Sequence, residues 1–121
     1  MKQATALSLL DAHDACVEIE KITTLGNFPA YLGDWHFRLI VERLMEIVGE
    51  AMNRATKSEP DIVEYIPDAR AIIGMRNRIS HGYDQIDNET VWQTAVTEVS
   101  ALRIGIEQQL RDGGYWPSDR P

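Results

Sequence analysis

The amino-acid sequence predicts an all-α fold, an antiparallel up-down bundle of four long helices with one or two short helices. Apolar residues recur at steps of three and four along nearly the whole chain, which is the period of one buried helix face. No segment longer than two or three residues shows the pattern of a β-strand. The polar segments between the periodic stretches are short, and short connections make successive helices antiparallel neighbours.

Length and composition predict a single soluble domain. The chain has 121 residues, 44% of them apolar, and no apolar run approaches the roughly 20 residues of a membrane span. The one cysteine, Cys16, cannot form an internal disulfide, and no signal-peptide pattern precedes the first helical pattern. We therefore expect a cytoplasmic protein with one helical domain over residues 1–112 and a C-terminal tail over residues 113–121.

The charge balance limits how this chain can bind nucleic acid. It has 19 acidic and 12 basic residues, for a formal net charge of −7. Non-specific binding to nucleic acid is driven by lysines and arginines that displace counterions from phosphates. A chain with this charge should not coat nucleic acid, so contact with RNA requires a local positive patch or a second subunit.

The first two long helices have clear apolar stripes. The first is expected over residues 5–22; the second begins after Asp34, whose carboxylate suits an N-cap, and ends near Arg54. Residues 23–33 are rich in turn formers and have room for a short helical turn. The first stripe comprises Leu9, Ala12, Cys16 and Ile19, and the second comprises Phe37, Ile40, Val41, Leu44, Ile47, Val48 and Ala51.

A third long helix is expected after a short turn at residues 61–65. Pro67 has the backbone angle suited to a first helical position, and Asp68 is favourable in a first turn. Gly82 is suited to end this helix. Its apolar residues are Ile72, Ile73, Met75 and Ile79.

The last long helix is expected to begin at a cap provided by Asp87 or Asn88 and to end at Gly113-Gly114. Its stripe comprises Trp92, Ala95, Val99, Leu102, Ile106 and Leu110. The tail that follows contains Tyr115-Trp116-Pro117, an apolar group among polar residues. This group is expected either to cover an end of the bundle or to form an oligomer contact.

One segment, residues 74–83, concentrates polar and titratable side chains on a helix that otherwise forms core. Asn77 lies three residues before Ser80 and four before His81, so these three side chains share a helix face. Arg76 and His81 are five residues apart and point roughly 140° away from each other. They can converge on one phosphate if the helix unwinds at Gly82, or if two copies of the chain face each other.

A purely structural interpretation of this segment stays open. A histidine in a last helical turn interacts favourably with the negative helix end, and nearby arginine or asparagine side chains often bind free carbonyls. His13 and His36 lie on separate helices without metal-ligand spacing, and Cys16 falls in an apolar stripe. The sequence therefore predicts no metal site, and it contains no glycine-rich phosphate loop.

Around this segment the sequence resembles the HEPN superfamily, and specifically its HepT-like branch. The family signature is an arginine, four further residues, a histidine, one residue and a tyrosine, which here are Arg76, His81 and Tyr83. The frequent asparagine after the arginine is present as Asn77. Residues 43–51 are similar to a family stretch that ends in Ile-Ile-Gly-Glu-Ala, and the similarity extends over roughly residues 9–110. The bundle is therefore expected to be HEPN-like.

The resemblance implies the toxin of a toxin–antitoxin pair of the type VII kind, a metal-independent endoribonuclease. The family works as a homodimer, in which the two motifs meet across the interface. His81 would act as general base or acid, Arg76 would hold the phosphate, and Asn77 would orient His81 or the phosphate. Arg78 and Ser80 would contact the RNA.

The resemblance also implies a protein partner, a cognate minimal nucleotidyltransferase that acts as the antitoxin. In this family that partner transfers AMP from ATP to the motif tyrosine, which is Tyr83 here. The added phosphate would occupy the cleft and pair with Arg76 in competition with RNA. ATP would be used by the partner, and the chain itself is expected to need no cofactor.

Two other functions stay open at the level of the sequence. The chain could be a non-catalytic helical subunit that docks a nucleotidyltransferase and positions its substrate, which its low positive charge favours. It could also be a structural dimeric bundle without activity. A cleavage assay separates the toxin from both of these alternatives.

Overall fold

A computed structural model of the chain, which describes residues 1–81 and 87–120, confirms the predicted helical bundle. Its helices are α1 (Gln3–Thr24), α2 (Phe28–Gly33), α3 (Trp35–Ser58), α4 (Ile62–Tyr65), α5 (Ala69–Ser80), α6 (Asn88–Gln93) and α7 (Val99–Asp112). A π-helical turn over Thr94–Glu98 joins α6 to α7, so the two form one continuous rod. The four long elements are α1, α3, α5 and this rod, while α2 and α4 are the predicted short helices.

Neighbouring long helices run antiparallel. The first residues of α1 hydrogen-bond to the last residues of α3, which places opposite ends of the two helices together. On the other side of α1, His13 lies 3.5 Å from Glu107 of α7 and Glu20 accepts from Arg103. The order of these partners is reversed along α7, so α1 and α7 are antiparallel as well.

A single apolar core fills the interior of the bundle, and each fully buried aliphatic side chain contributes about 1.5–3 kcal/mol. The stripe of α3 is rotated relative to the prediction. Val41, Met45, Val48 and Met52 are completely buried, whereas Ile40 is 46% exposed. The predicted stripe included apolar residues at the edge of the contact with α1. These residues are only partly covered, so the fully buried face is narrower than predicted and lies further round the helix. The largest aliphatic core residues include Leu9, Ile19, Met45, Met52, Ile72, Leu102, Ile106 and Leu110.

Two helix boundaries differ from those predicted. Helix α3 continues to Ser58, a full turn beyond Arg54, because its last turn bonds to α1 and this contact supports the otherwise polar segment. Helix α5 begins at Ala69 rather than at Pro67. The backbone before it forms the i to i+3 hydrogen bonds of a 3₁₀ turn, in which the Arg70 amide donates to the Pro67 carbonyl at 3.3 Å.

The last rod confirms its predicted cap and departs from a regular helix once. Asp87 caps it, and its carboxylate accepts from the Glu89 amide at 3.0 Å and from the Thr90 hydroxyl at 2.9 Å. The departure is the π-helical turn over Thr94–Glu98. The predicted apolar stripe of this rod is buried on both sides of the turn, at Trp92 before it and at Val99 after it.

The C-terminal tail packs against the bundle. Gly114 has a φ of 77°, a left-handed conformation that glycine adopts without strain and that turns the chain back. Trp116 then lies edge-on to His13 of α1, with ring centroids 4.9 Å apart. The guanidinium groups of Arg111 and Arg120 lie 4.8 and 5.6 Å from the Trp116 ring. Over its described residues the tail thus covers part of α1 and α7, the first of its two predicted roles.

Candidate active site

Helix α5, which carries the motif, is packed directly against the backbone of α3. The contact is made at Gly49, where a Cβ atom would lie 2.2 Å from the Cβ of Arg76 and 3.1 Å from the Ile72 carbonyl oxygen. No residue with a side chain fits at these distances without moving a helix. The missing side chain of Gly49 therefore lets α5 approach closely, and it brings the base of Arg76 against α3.

Arg76 and Asn77 are joined at the level of their side chains. The Arg76 Nη1 donates to the Asn77 Oδ1 at 3.0 Å. The Asn77 backbone carbonyl accepts from the His81 amide at 3.1 Å. The sequence suggested that the Asn77 side chain orients His81 or a phosphate, whereas its oxygen here binds the guanidinium.

His81 lies just past the end of α5 as its C-cap residue, and its side chain is exposed. Arg78 and Ser80 precede it in the last turn and are also exposed. The carbonyl end of a helix carries a partial negative charge, which favours cations such as a protonated histidine or an arginine.

Within one chain, Arg76 and His81 do not point the same way. The helix stays regular through Ser80, so the two side chains leave its axis roughly 140° apart, as predicted from their spacing. The predicted alternative, in which the helix unwinds at Gly82 to bring them together, falls on a residue outside the described part of the chain. The structure thus gathers Arg76, Asn77, Ser80 and His81 at one end of α5, without aiming Arg76 and His81 at one point.

The α3 residues beside the motif were not singled out by the sequence. Ser80 Oγ donates to Glu46 Oε2 of α3 at 3.1 Å. One turn earlier on α3, burial raises the pKa of Glu42, the charge of Arg38 lowers it, and the like charge of Glu46 raises it further. Glu46 and Gly49 both lie within the family-like stretch 43–51, but nothing in the sequence shows which face of α3 meets α5.

The charge around the motif is locally positive. From Ala69 to Ser80, α5 contains Arg70, Arg76 and Arg78 and no acidic residue. This stretch opposes the overall charge of −7, as contact with RNA would require. The carboxylate that touches it, Glu46, comes from α3.

Tyr83, the third member of the motif, lies outside the described residues, and its modification stays a prediction. Across residues 1–81 and 87–120, no three histidine, cysteine or acidic side chains are grouped so that they could hold a metal ion. In the same part of the chain, no helix is both long enough and apolar enough to cross a membrane.

The fold and the site together place the protein in a class of antiparallel helical bundles. In this class an arginine–asparagine pair and a histidine lie at the exposed end of one helix. The family model for HepT-like ribonucleases matches residues 12–108. The chain belongs to the ribonuclease HepT-like family, which confirms the resemblance noted in the sequence.

Individual relatives are distant but cover most of the chain. A provisionally named RNase of Methanocaldococcus jannaschii is 26% identical over 104 residues, which span 86% of this chain and 85% of the relative. A second such protein from the same organism is 27% identical and covers 78% of this chain and 81% of its own length. A provisionally named ribonuclease HepT of Thermococcus cleftensis is 28% identical over 89% of this chain and 97% of its own. No solved structure matches the chain significantly.

Proposed function

We propose that this protein is a cytoplasmic endoribonuclease that cleaves RNA without a metal or other cofactor, and that it is the toxin of a toxin–antitoxin pair. The observation that carries the proposal is the set of half-buried Arg76 with exposed Asn77 and His81, at the end of a positively charged helix in a chain of the HepT-like family. The provisional RNase names of its relatives support the same activity.

The chemistry follows from the residue types. A histidine takes the proton of a ribose 2′-hydroxyl, and the 2′-oxygen attacks the adjacent phosphorus. The bond from phosphorus to the 5′-oxygen breaks, and a second histidine donates a proton to that leaving oxygen. The products are a 2′,3′-cyclic phosphate and a 5′-hydroxyl end. Arg76 stabilises the charge on the phosphorus centre through a two-pronged contact that lysine cannot reproduce.

A homodimer supplies the second histidine. Arg76 and His81 of one chain diverge, so a two-fold axis near the end of α5 pairs Arg76 of one copy with His81 of the other. Such a cleft also holds two copies of Arg78, which contacts the RNA backbone. The Ser80 hydroxyl, which the family resemblance implies to be a second RNA contact, donates its proton to Glu46. Because binding depends on these local arginines, RNA affinity falls as the salt concentration rises.

The partner in this proposal is a cognate minimal nucleotidyltransferase that acts as the antitoxin. It transfers AMP from ATP to the Tyr83 hydroxyl, so a phosphate–oxygen bond forms at tyrosine and pyrophosphate leaves. The modified tyrosine places a negative phosphate two residues from His81, where it pairs with arginine and excludes RNA.

The nuclease proposal is tested by cleavage of a fluorescent RNA in the presence of EDTA. We expect His81→Ala to reduce the rate at least about 100-fold, because general acid–base catalysis contributes on that scale. His36→Ala is the matched control, since His36 is also an exposed histidine on a helix. Equal cleavage by wild type and His81→Ala would overturn the proposal and favour the non-catalytic binding subunit.

The dimer and the modification have separate tests. A monomeric mass in solution at micromolar concentration would contradict the composite site. After incubation with ATP and a cognate minimal nucleotidyltransferase, the peptide that contains Tyr83 is expected to gain the mass of AMP, and the same peptide of Tyr83→Phe is not. Unchanged mass in the wild-type peptide argues against the regulated toxin.

A further inference from the structure

We propose that Glu46 of α3 is a positioning residue of the active site, which holds the last turn of α5 and thereby sets the direction of His81 relative to Arg76. The catalytic part of this inference rests on the proposed ribonuclease function. Glu46 would not touch the reacting atoms, because it acts through the Ser80 hydroxyl to which it is bonded.

The end of α5 needs such a support. The last turn of a helix lacks part of its backbone hydrogen bonds and opens more readily than the middle. His81 is held to α5 by the bond from its amide to the Asn77 carbonyl, at 3.1 Å. Any rotation or fraying of this turn moves the His81 imidazole, so an attachment of the turn itself to the bundle contributes to how well the imidazole is placed.

Two contacts with α3 supply this attachment. At Gly49 the base of Arg76 is pressed against the α3 backbone, and one turn further along α5 the Ser80 hydroxyl bonds to Glu46 at 3.1 Å. Two points one turn apart fix the rotation of α5 about its own axis as well as its position. The directions in which Arg76 and His81 leave the helix are therefore set jointly by Gly49 and Glu46.

The chemistry of Glu46 argues against an incidental surface contact. Within the described part of the chain no cation pairs with its carboxylate, whereas the neighbouring Glu50 lies 3.9 Å from Arg54 of its own helix. Glu46 is half-buried, and its charge contributes to the raised pKa of Glu42. A carboxylate beside a phosphate-binding helix also repels RNA. The carboxylate of Glu46 therefore weakens RNA binding but supports the position of α5. The two effects can be told apart, because the first changes KM and the second changes kcat.

The test compares steady-state RNA cleavage by five variants, one of them a control, over a range of RNA concentrations that gives kcat and KM. We expect Glu46→Ala and Ser80→Ala each to lower kcat about tenfold, as loss of a hydrogen bond to a charged group does, and the double variant to be no worse than either. Glu46→Gln keeps an oxygen that accepts from Ser80, so we expect its kcat to stay at the wild-type value. Its KM is expected to fall, because the neutral amide no longer repels the RNA phosphates. Glu50→Ala on the same helix is the matched control. Additive losses, or a Glu46→Ala kcat equal to that of Glu50→Ala, would overturn the proposal.

A second measurement does not depend on activity. Hydrogen exchange of the His81 amide, followed by NMR, is expected to be about tenfold faster in Glu46→Ala than in wild type, and unchanged in Glu50→Ala. Unchanged exchange in Glu46→Ala contradicts the positioning role. If exchange responds as expected while wild-type protein cleaves no RNA, the proposed ribonuclease function fails and the structural role of Glu46 stands.

Discussion

Gly49 shows at the scale of one residue how packing decides the position of the motif. Its backbone lies so close to α5 that the space for a side chain is already filled by Arg76 and the Ile72 carbonyl. Gly74, on α5 itself, has open space where its side chain would be. The two glycines therefore make a matched pair. Gly49 is required because α3 and α5 approach closely there, whereas Gly74 only weakens its own helix.

We predict opposite effects for alanine at these two positions. Gly49→Ala is expected to lower the free energy of unfolding by about 1–3 kcal/mol, because the helices must separate to accept the methyl group. Gly74→Ala is expected to raise it by about 0.5–1 kcal/mol, the difference in helix propensity. Urea unfolding followed by circular dichroism measures both. A Gly49→Ala protein as stable as wild type would show that α3 and α5 can part without cost.

At the scale of an element, α3 organises the molecule because it contacts both α1 and α5. Its buried face carries Val41 and Met45, while Glu46 and Gly49 contact α5. Its start is set by Asp34, whose carboxylate accepts from the His36 amide at 2.9 Å and the Phe37 amide at 3.3 Å. This is the cap that the sequence predicts.

Asp34→Ala is expected to reduce the free energy of unfolding by about 1 kcal/mol, because two amides at the start of α3 lose their acceptor. Asp34→Asn keeps an acceptor oxygen and should lose much less. Thermal unfolding of the two variants side by side gives the comparison. Equal losses in both would mean that the charge of Asp34, and not its hydrogen bonds, is what matters.

At the scale of the whole molecule, the C-terminal tail covers a histidine of α1 whose titration affects stability. His13 is buried between α1, α7 and the tail, where it lies 3.5 Å from Glu107 and 3.4 Å from Arg120. Burial lowers the pKa of His13, the Glu107 carboxylate raises it, and the charges of Arg120 and Arg103 lower it further. The net shift is downward, so the folded protein favours the neutral imidazole.

This shift predicts a pH dependence of stability. Between the ordinary histidine pKa near 6.5 and the lower pKa of folded His13, the unfolded chain binds more protons than the folded one. The free energy of unfolding is therefore expected to fall as the pH drops through this window. His13→Gln should flatten the dependence there, and the exposed His36→Gln should leave it unchanged.

The tail responds in the same experiment. Protonated His13 can no longer accept the hydrogen bond from Arg120, so fluorescence of Trp116 should report a loosened tail as the pH falls through that window. Loss of stability from Glu107, whose pKa is lowered chiefly by its hydrogen bond to Arg111, belongs to more acidic pH, below about 4.5. Identical pH profiles for wild type and His13→Gln would contradict the assignment to His13.

Much of the architecture could be predicted from the sequence because helices are local structures. The three-and-four spacing of apolar residues, the caps at Asp34 and Asp87, and the glycines that end the last helix depend only on residues near each other in the chain. The motif and the divergence of Arg76 from His81 also follow from helical spacing alone.

Other features are decided by contacts between distant parts of the chain, and no local pattern encodes them. The extension of α3 to Ser58 and the rotation of its buried stripe both depend on contacts with neighbouring helices. The same holds for the site, where Gly49 and Glu46 meet α5 only because of the angle at which two helices pack. The residues of the motif can be read from their spacing along one helix. What holds them in place depends on the packing of α5 against α3, because packing brings together residues that lie far apart in the chain.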